Sequence, residues 1–500
     1  MAQRIVRVDV AQPQEVLTAM ETLREKLTIP TDYPADAIAD IRDVDISSLP
    51  DHRDIPFVTI DPPGASDLDQ AMHLSREEDG YLVRYAISAV ALYVEPGGRL
   101  DQEVHARGVT LYGPDGSIPL HPRELSAGAA SLLEGQDTPA YLWYLHLDPG
   151  GGLRHSWVEL AQVRSRAQLT YEQVQAAHDS GADLPAQVPA DLTELLAEIG
   201  KKRTQREIAR GGVSLDLPEQ RIEATDGGYR LAYRATTEVD EWNAQISLLT
   251  GMAAARLMSD AGIGILRTLP PAREKDYERL RQVAFALALD WPSDIDYPTF
   301  VRSLSSSTAA HAAFLNEATG LFRGASYLPL GVDKENSDGD EKESTTGRDD
   351  KLSEHSAIAS LYSHVTAPLR RLVDRYALEV CRCICAGEEI PAWVREALPT
   401  LPKTMARASQ RASAYERGAI NALEGLILSG YEGEIFRAVV TDVSEKENEE
   451  PRGSVMLREP AVEASIYGKN LPVGMDVRVR LVRVTPEGPE FELVRGKHAR

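Results

Sequence analysis

In PQEVLTAMETLREKL (13–27), Val16, Met20, Leu23 and Leu27 recur at spacings of four, three and four, an apolar stripe that predicts an amphipathic helix. PADAIADIRDV (34–44) predicts a second helix with Pro34 in its first turn. Residues 1–50 therefore read as a small helical module, a hairpin or helix-turn-helix. From about residue 54 the period shortens to two. FVTID is a short apolar strand, and AMHL, EEDG and YLVRYAISAVALYV read as strand, turn and strand. More strands flank the Gly-rich turn at 149–152. Residues 190–212, 238–330 and 366–428 are mostly helical in pattern. Residues 333–354 carry nine acids against four bases and one apolar residue, Leu352, which predicts a surface insertion. Across 431–497, EIFRAVVTDV, DVRVRLVRV and FELV alternate between Gly, Pro and charged turns, the pattern of a small β-barrel. The predicted fold class is multidomain α+β.

Composition narrows the function classes. No run approaches the roughly 18 apolar residues of a membrane helix, and the opening MAQRIVRVDVAQPQE lacks the apolar core of a secretory signal. The expected location is cytoplasmic. All three cysteines fall in CRCIC, Cys381, Cys383 and Cys385, where helical spacing turns Cys383 away from the others and makes zinc the lesser reading. A formal charge of −23 repels polyanions at long range, so any nucleic-acid site must be a local basic groove. KKRTQREIAR (201–210), with Arg407 and Arg411, supplies the candidate backbone contacts.

TIDPPGASDLDQAMHL (59–74) holds the candidate chemistry. Residues two apart on an extended chain face the same way, so Asp67 and Asp69 can address one point. Asp61 ends the preceding strand and the PPG turn brings it back. Three converging carboxylates repel one another unless a divalent cation relieves them. An all-oxygen set favours Mg²⁺, with Mn²⁺ as the alternative, and suits attack on a phosphodiester. On spacing alone the same residues also fit an ordinary polar turn. In HVTAPLRRLVDRYALEV, the stripe Leu369, Leu372, Val373, Tyr376 and Val380 predicts a helix with Pro368 in its first turn. That placement puts Arg370 beside free backbone N–H groups, ready to grip a phosphate, and leaves Arg371 as a solvated charge.

These stretches, taken with RGVTLYGPDGSIPLHPRELS (107–126), LTYEQV (169–174) and ASAYERGAINALEG (412–425), resemble the RNB family, the ribonuclease II and R type of exoribonuclease. The resemblance runs over roughly residues 54–428. After the helical module read over 1–50, it implies an RNB catalytic domain of mixed α/β structure over 51–428 and an OB-fold RNA-binding domain of the ribosomal S-one type over 429–500. It further implies processive 3′-to-5′ hydrolysis of single-stranded RNA to nucleoside 5′-monophosphates by a monomer. Asp61, Asp67, Asp69 and the position of Gln70 match four acidic positions that hold magnesium, with Asp67, Asp69 and Arg370 at the chemistry. This chain departs at the fourth, where Gln70 brings a carbonyl and no charge. Tyr112 matches a tyrosine that packs on the 3′-terminal nucleotide, and Glu416 a glutamate that helps fix the RNA end. Asn243 and Gln245 stand where relatives carry paired acids. His121 and His364 read as structural. Fifty residues are too few for the two cold-shock domains that usually come first, so a shorter RNA access path is expected. The rival class is a non-catalytic RNA-binding relative, for which Gln70 is the chief argument; a small-molecule phosphoesterase fits the carboxy-terminal module poorly.

Overall fold

A computed structural model describes residues 13–215, 219–225, 228–234, 236–305, 308–332, 353–444, 451–457, 460–485 and 488–494. The acidic stretch 333–354 lies outside these residues except for its last two positions.

The period-two segments close into a five-stranded barrel of β1 (Phe57–Asp61), β2 (Gln70–Glu77), β3 (Gly80–Ser88), β6 (Asp137–Leu147) and β7 (Leu153–Thr170). Neighbours pair antiparallel until β7 returns parallel to β1. Between β3 and β6 lies a short hairpin, β4 (Leu111–Gly113) and β5 (Gly116–Ile118). β1, FVTID, is buried from Phe57 through Ile60 because both of its faces are covered. Val58 and Ile60 enter the main core and Phe57 a second cluster on the other face. Helices Glu238–Ala261 and Leu372–Ala386 cover the main core with Ile246, Leu249, Val373, Tyr376 and Val380. Two further antiparallel pairs, β8 (Glu219–Thr225) with β9 (Gly228–Arg234) and β10 (Gly264–Thr268) with β11 (Ser326–Leu330), lie outside the barrels.

The carboxy-terminal strands β12 (Ile435–Ser444), β13 (Arg452–Leu457), β14 (Val462–Tyr467), β15 (Asp476–Thr485) and β16 (Gly488–Leu493) form a second closed barrel in the order β12-β13-β14-β16-β15. Five strands in this closed order are consistent with an OB-fold. No helix among the described residues is long and apolar enough to cross a membrane.

The first predicted helix spans Pro13–Leu27, and its stripe does not stand apart. Val16 and Met20 are buried in one cluster with Ala419 and Leu423 of the long helix Leu401–Leu428 and with Phe436 of β12. The second helix is shorter than the pattern predicted, Ala35–Ala39. Beyond it the chain takes other backbone partners, Ile41 bridging to Val94 and the Arg42 N–H donating to the Tyr93 carbonyl at 2.9 Å. Truncation at the buried stripe, Met20→Ala, is expected to cost about 2–5 kcal/mol by leaving a cavity. Urea denaturation followed by tryptophan fluorescence and circular dichroism measures it. A loss below about 0.5 kcal/mol, the range of ordinary surface changes, would contradict this packing.

Candidate active site

β1 delivers Asp61 at its last position, in register with Thr170 at the end of β7. The chain then turns through Pro62-Pro63-Gly64, where Gly64 holds φ at +79°, a value that favours glycine. The far side of the loop is pinned. Ser131 Oγ accepts from the Leu68 N–H at 2.9 Å and donates to the Ser66 carbonyl at 2.7 Å. The Asp69 carbonyl accepts from Ser88 N–H at 3.0 Å. Both ends of the DPPGASDLD segment are thereby fixed by the first barrel.

The arginine arrives differently from the sequence expectation. The helix begins at Leu372, so Arg370 is not in its first turn. Residues 366–371 instead form a bend and turn in which the Arg370 and Arg371 N–H groups donate to the Ala367 carbonyl at 3.2 and 2.9 Å. Buried Asp374 draws the chain into that turn. It accepts from the Ala367 N–H at 2.7 Å and from Arg371 Nε and Nη2 at 2.9 and 2.8 Å. Arg371 is therefore the partner of an interior carboxylate, not a solvated charge. Thr110 N–H donates to the Arg370 carbonyl at 3.1 Å, and Leu372 N–H donates to the Gly108 carbonyl at 3.0 Å. His121 is fully buried, with Nδ1 3.1 Å from the Leu369 carbonyl, and burial holds its pKa down near 4. A carbonyl can only accept, so Nδ1 carries the proton and His121 is structural.

These two loops meet. The Leu369 N–H donates to Asp69 Oδ1 at 2.7 Å, and Arg370 Nε lies 3.5 Å from Asp69 Oδ2. Tyr112, on β4, donates its hydroxyl to Asp67 Oδ2 at 3.2 Å while its side chain stays 51% exposed. Gln70 opens β2, donates its amide to the Thr366 carbonyl and accepts from the Tyr85 hydroxyl at 3.2 Å. Asp61, Asp67, Asp69, Gln70, Tyr112 and Arg370 are thus gathered in one place. Glu416 is exposed on the long helix, and no described hydrogen bond or ion pair joins it to the carboxylates. Its neighbour Tyr415 packs against Gly113, where a Cβ would come within 2.7 Å of the tyrosine hydroxyl. The helix carrying Glu416 therefore runs against the Tyr112 hairpin. Asn243 reaches toward the site through the Tyr171 hydroxyl at 3.1 Å, whereas the Gln245 amide turns to Glu207.

The basic stretch 201–210 divides: Lys201 and Arg206 are exposed, while two of its arginines turn inward. Arg203 is buried, donating to the Gly151 carbonyl, and Arg210 donates to the Ile358 carbonyl. Arg411 donates to the carbonyls of Ala106 and Arg107 at the end of another helix. His364 lies 2.8 Å from the Tyr327 hydroxyl, and burial pushes its pKa well down. Cys381 and Cys383 are both buried on the Leu372–Ala386 helix, with Cys385 partly so, and all three are free thiols. Cys383, which helical spacing turns away from the other two, is buried as well because this helix is covered on more than one side.

Burial pushes the Asp69 carboxyl up to about 8, against the opposing charge of Arg370 and the amide of Leu369. Burial likewise pushes Asp61 up to about 6, with Arg370 opposing and Asp67 adding to the rise. Asp61 Oδ2 is buried and has no hydrogen-bond partner. An orphaned carboxylate oxygen with Asp67 as its charged neighbour, and Asp69 next to Asp67 in turn, is an all-oxygen donor set whose chemistry fits a hard divalent cation. Asp61, Asp67 and Asp69 are the residues that could hold one. Among the described residues, the histidine, cysteine and carboxylate groups with ligand atoms within 4.8 Å of one another are His178, Asp179 and Glu238, so the three aspartates sit wider apart than that.

Sequence reasoning passed over Asp374 and Tyr85. The first carried a usable sign, a carboxylate three residues after an arginine at a helix start. The second carried none.

Protons and a cation compete for Asp61 and Asp69, both raised above the ordinary carboxylate value of 3.8. Affinity for Mn²⁺ or Mg²⁺ is therefore expected to rise as pH passes from 5.5 to about 8, with proton release on binding. Calorimetry in two buffers of different ionisation enthalpy measures this. A pH-independent affinity would contradict the assignment. In the metal-free chain, ionising these buried acids removes stability as pH rises through the same window, so the cation-induced rise in Tm should be larger at pH 8 than at pH 5.5.

Residues 50–383 match the RNB domain, and residues 434–495 match the RNase II-type exonuclease C-terminal S1 domain. The chain is 25% identical to ribonuclease R of Aquifex aeolicus over 96% of its own length and 71% of that protein's. It is 27% identical to the human exosome complex exonuclease RRP44 over 67% of its own length, spanning 34% of that protein. Among solved structures, Mycoplasma genitalium RNase R in complex with ribose-methylated single-stranded RNA superposes with a TM-score of 0.82, at 16% identity, over 96% of this chain and 78% of that one. Yeast Ssd1, described as a pseudonuclease, superposes at 0.65 with 14% identity over 93% of this chain and 57% of that one. With two thirds of its length matched by the RNB domain and a barrel of the matching S1 type after it, the chain belongs to the RNB family of ribonuclease II and R type exoribonucleases.

Proposed function

We propose that this chain hydrolyses single-stranded RNA processively from the 3′ end and releases nucleoside 5′-monophosphates, with Mg²⁺ or Mn²⁺ held by Asp61, Asp67 and Asp69. The observation that carries the reading is the convergence of three acids, one half-exposed arginine and one exposed tyrosine ring from segments about 300 residues apart. A bound divalent cation would supply an activated water and charge stabilisation at the phosphate. In the overall reaction water adds to phosphorus and the P–O3′ bond breaks. The shortened RNA keeps a 3′-hydroxyl and the released nucleotide its 5′-phosphate.

The chain's own groups divide the remaining work. Arg370, beside Asp69, offers a guanidinium to the non-bridging phosphate oxygens. The backbone amide of Leu369 and the Arg370 charge hold Asp69 in one orientation. Tyr112 presents a ring face to the terminal base, its hydroxyl end fixed on Asp67. Stacking accepts any base, as a processive enzyme requires. Glu416 contacts the RNA end from the long helix.

A second reading is favoured by one observation. Gln70 removes a negative charge from the site, and a pseudonuclease shares the fold. Under that reading the chain binds RNA without turnover.

Labelled single-stranded RNA incubated with Mg²⁺, with EDTA, and with the Asp69→Asn protein separates the two. The proposal expects cleavage in the first condition alone; intact RNA in every lane, with Mn²⁺ also tried, would favour the binding protein. Arg370→Ala is expected to lower kcat by about 10²–10³, the usual cost of one preorganised charge donor. Tyr112→Ala is expected to cost about 1–3 kcal/mol of RNA affinity, read from KM and from binding in EDTA.

A further inference from the structure

Gln70 stands at a position where the family resemblance places a fourth metal-holding acid, yet its side chain is already engaged at both ends. Nε2 donates to the Thr366 carbonyl and Oε1 accepts from Tyr85. The orientation of the amide is dictated by chemistry. A carbonyl can only accept, so the nitrogen must face Thr366 and the oxygen is left for the tyrosine. Consecutive residues on an extended chain point to opposite faces, and this is what β2 shows. Gln70 shares its face with Met72 and Leu74 of the main core, and with Tyr85 across on β3. Asp69 reaches instead to Leu369 and Arg370.

Thr366 is the first residue of the turn that carries Arg370. That turn is fastened at Ala367 by Asp374, at the Leu369 amide by Asp69 and at the Arg370 carbonyl by Thr110. Gln70 adds a fastening at its start, and does so without charge. A carboxylate here would set two acceptors, its own oxygen and the Thr366 carbonyl, against each other in a half-buried place.

We propose that Gln70 is a positioning residue that ties β2 to the Arg370 turn, and that the metal set of this chain is Asp61, Asp67 and Asp69 without it. The proposal rests on the reading of those aspartates as metal-holding residues. It explains why an amide is tolerated among acids: the position serves the arginine, and the arginine needs a donor at Thr366.

The test uses the full chain with Gln70→Met, which keeps the volume and removes both hydrogen bonds, and Gln70→Glu, which restores an acid. Mn²⁺ affinity is expected to stay within about threefold of wild type in both. A tenfold loss in Gln70→Met would make Gln70 a ligand, and a tenfold gain in Gln70→Glu would show that position 70 faces the metal; either overturns the proposal. RNA affinity is then measured in EDTA for Gln70→Met, Arg370→Ala and the double variant. If Gln70 acts through Arg370, the single Gln70→Met loses about three- to tenfold and the double variant loses no more than Arg370→Ala alone. Additive losses, or none, would contradict it. Should Gln70→Glu fail to fold, Gln70→Met and the cycle still decide. Both readouts are binding measurements in which no RNA is cut, so they answer even if the chain proves inactive. Absence of Mn²⁺ binding by the wild-type chain overturns the aspartate reading and this proposal with it.

Discussion

Like charge held together at the edge of a buried core is the constraint on which the rest depends. Asp61 and Asp69 are largely withdrawn from water, Asp67 stands beside them, and burial raises the first two well above the ordinary carboxylate range. Such a cluster survives folding only if positive charge and amide N–H groups are supplied at fixed positions. One barrel provides the acids, through the end of β1 and the loop into β2. A turn far along the chain provides Arg370 and the Leu369 amide.

That division explains much of the scaffolding. The turn 366–371 has no regular structure to hold it, so it is fixed bond by bond. Asp374 and Arg371 form an interior pair, His121 takes the Leu369 carbonyl, and the segment leading into the Tyr112 hairpin binds Arg370 through Thr110. The hairpin is therefore coupled to the arginine, and Tyr112 to both. Gly113 allows Tyr415 to approach closely, which sets the long helix and its Glu416 against the same hairpin. In a protein of net charge −23, this scaffolding places one half-exposed guanidinium beside the carboxylates against a repulsive overall field.

The sequence was legible where chemistry and local geometry coincide. Two-residue spacing and a Pro-Pro-Gly turn marked Asp61, Asp67 and Asp69 as able to converge, although the same residues also fit an ordinary polar turn, and alternation marked the carboxy-terminal barrel. Tyr112 came from family resemblance alone, because one aromatic has no distinguishing local pattern, and Arg370 from a helical stripe together with that resemblance. Helical periodicity carried the stripe Leu369 to Val380 one turn too far toward the amino terminus. The competing force was Asp374, whose side chain takes the Ala367 amide and ends the helix at Leu372. Within the basic run 201–210, local pattern did not separate Arg203 and Arg210, which donate to the carbonyls of Gly151 and Ile358, from Lys201 and Arg206, which face water. Pairings across hundreds of residues, such as Leu369 with Asp69, leave no trace in local pattern.

RNA labelled on its terminal internucleotide phosphate, incubated with Mg²⁺ and resolved by mass, shows whether hydrolysis begins at the last phosphodiester. The label is expected to appear at once as a nucleoside 5′-monophosphate, before any shortening is seen further along the strand. Label retained on intact RNA, or released first on longer fragments, would contradict it.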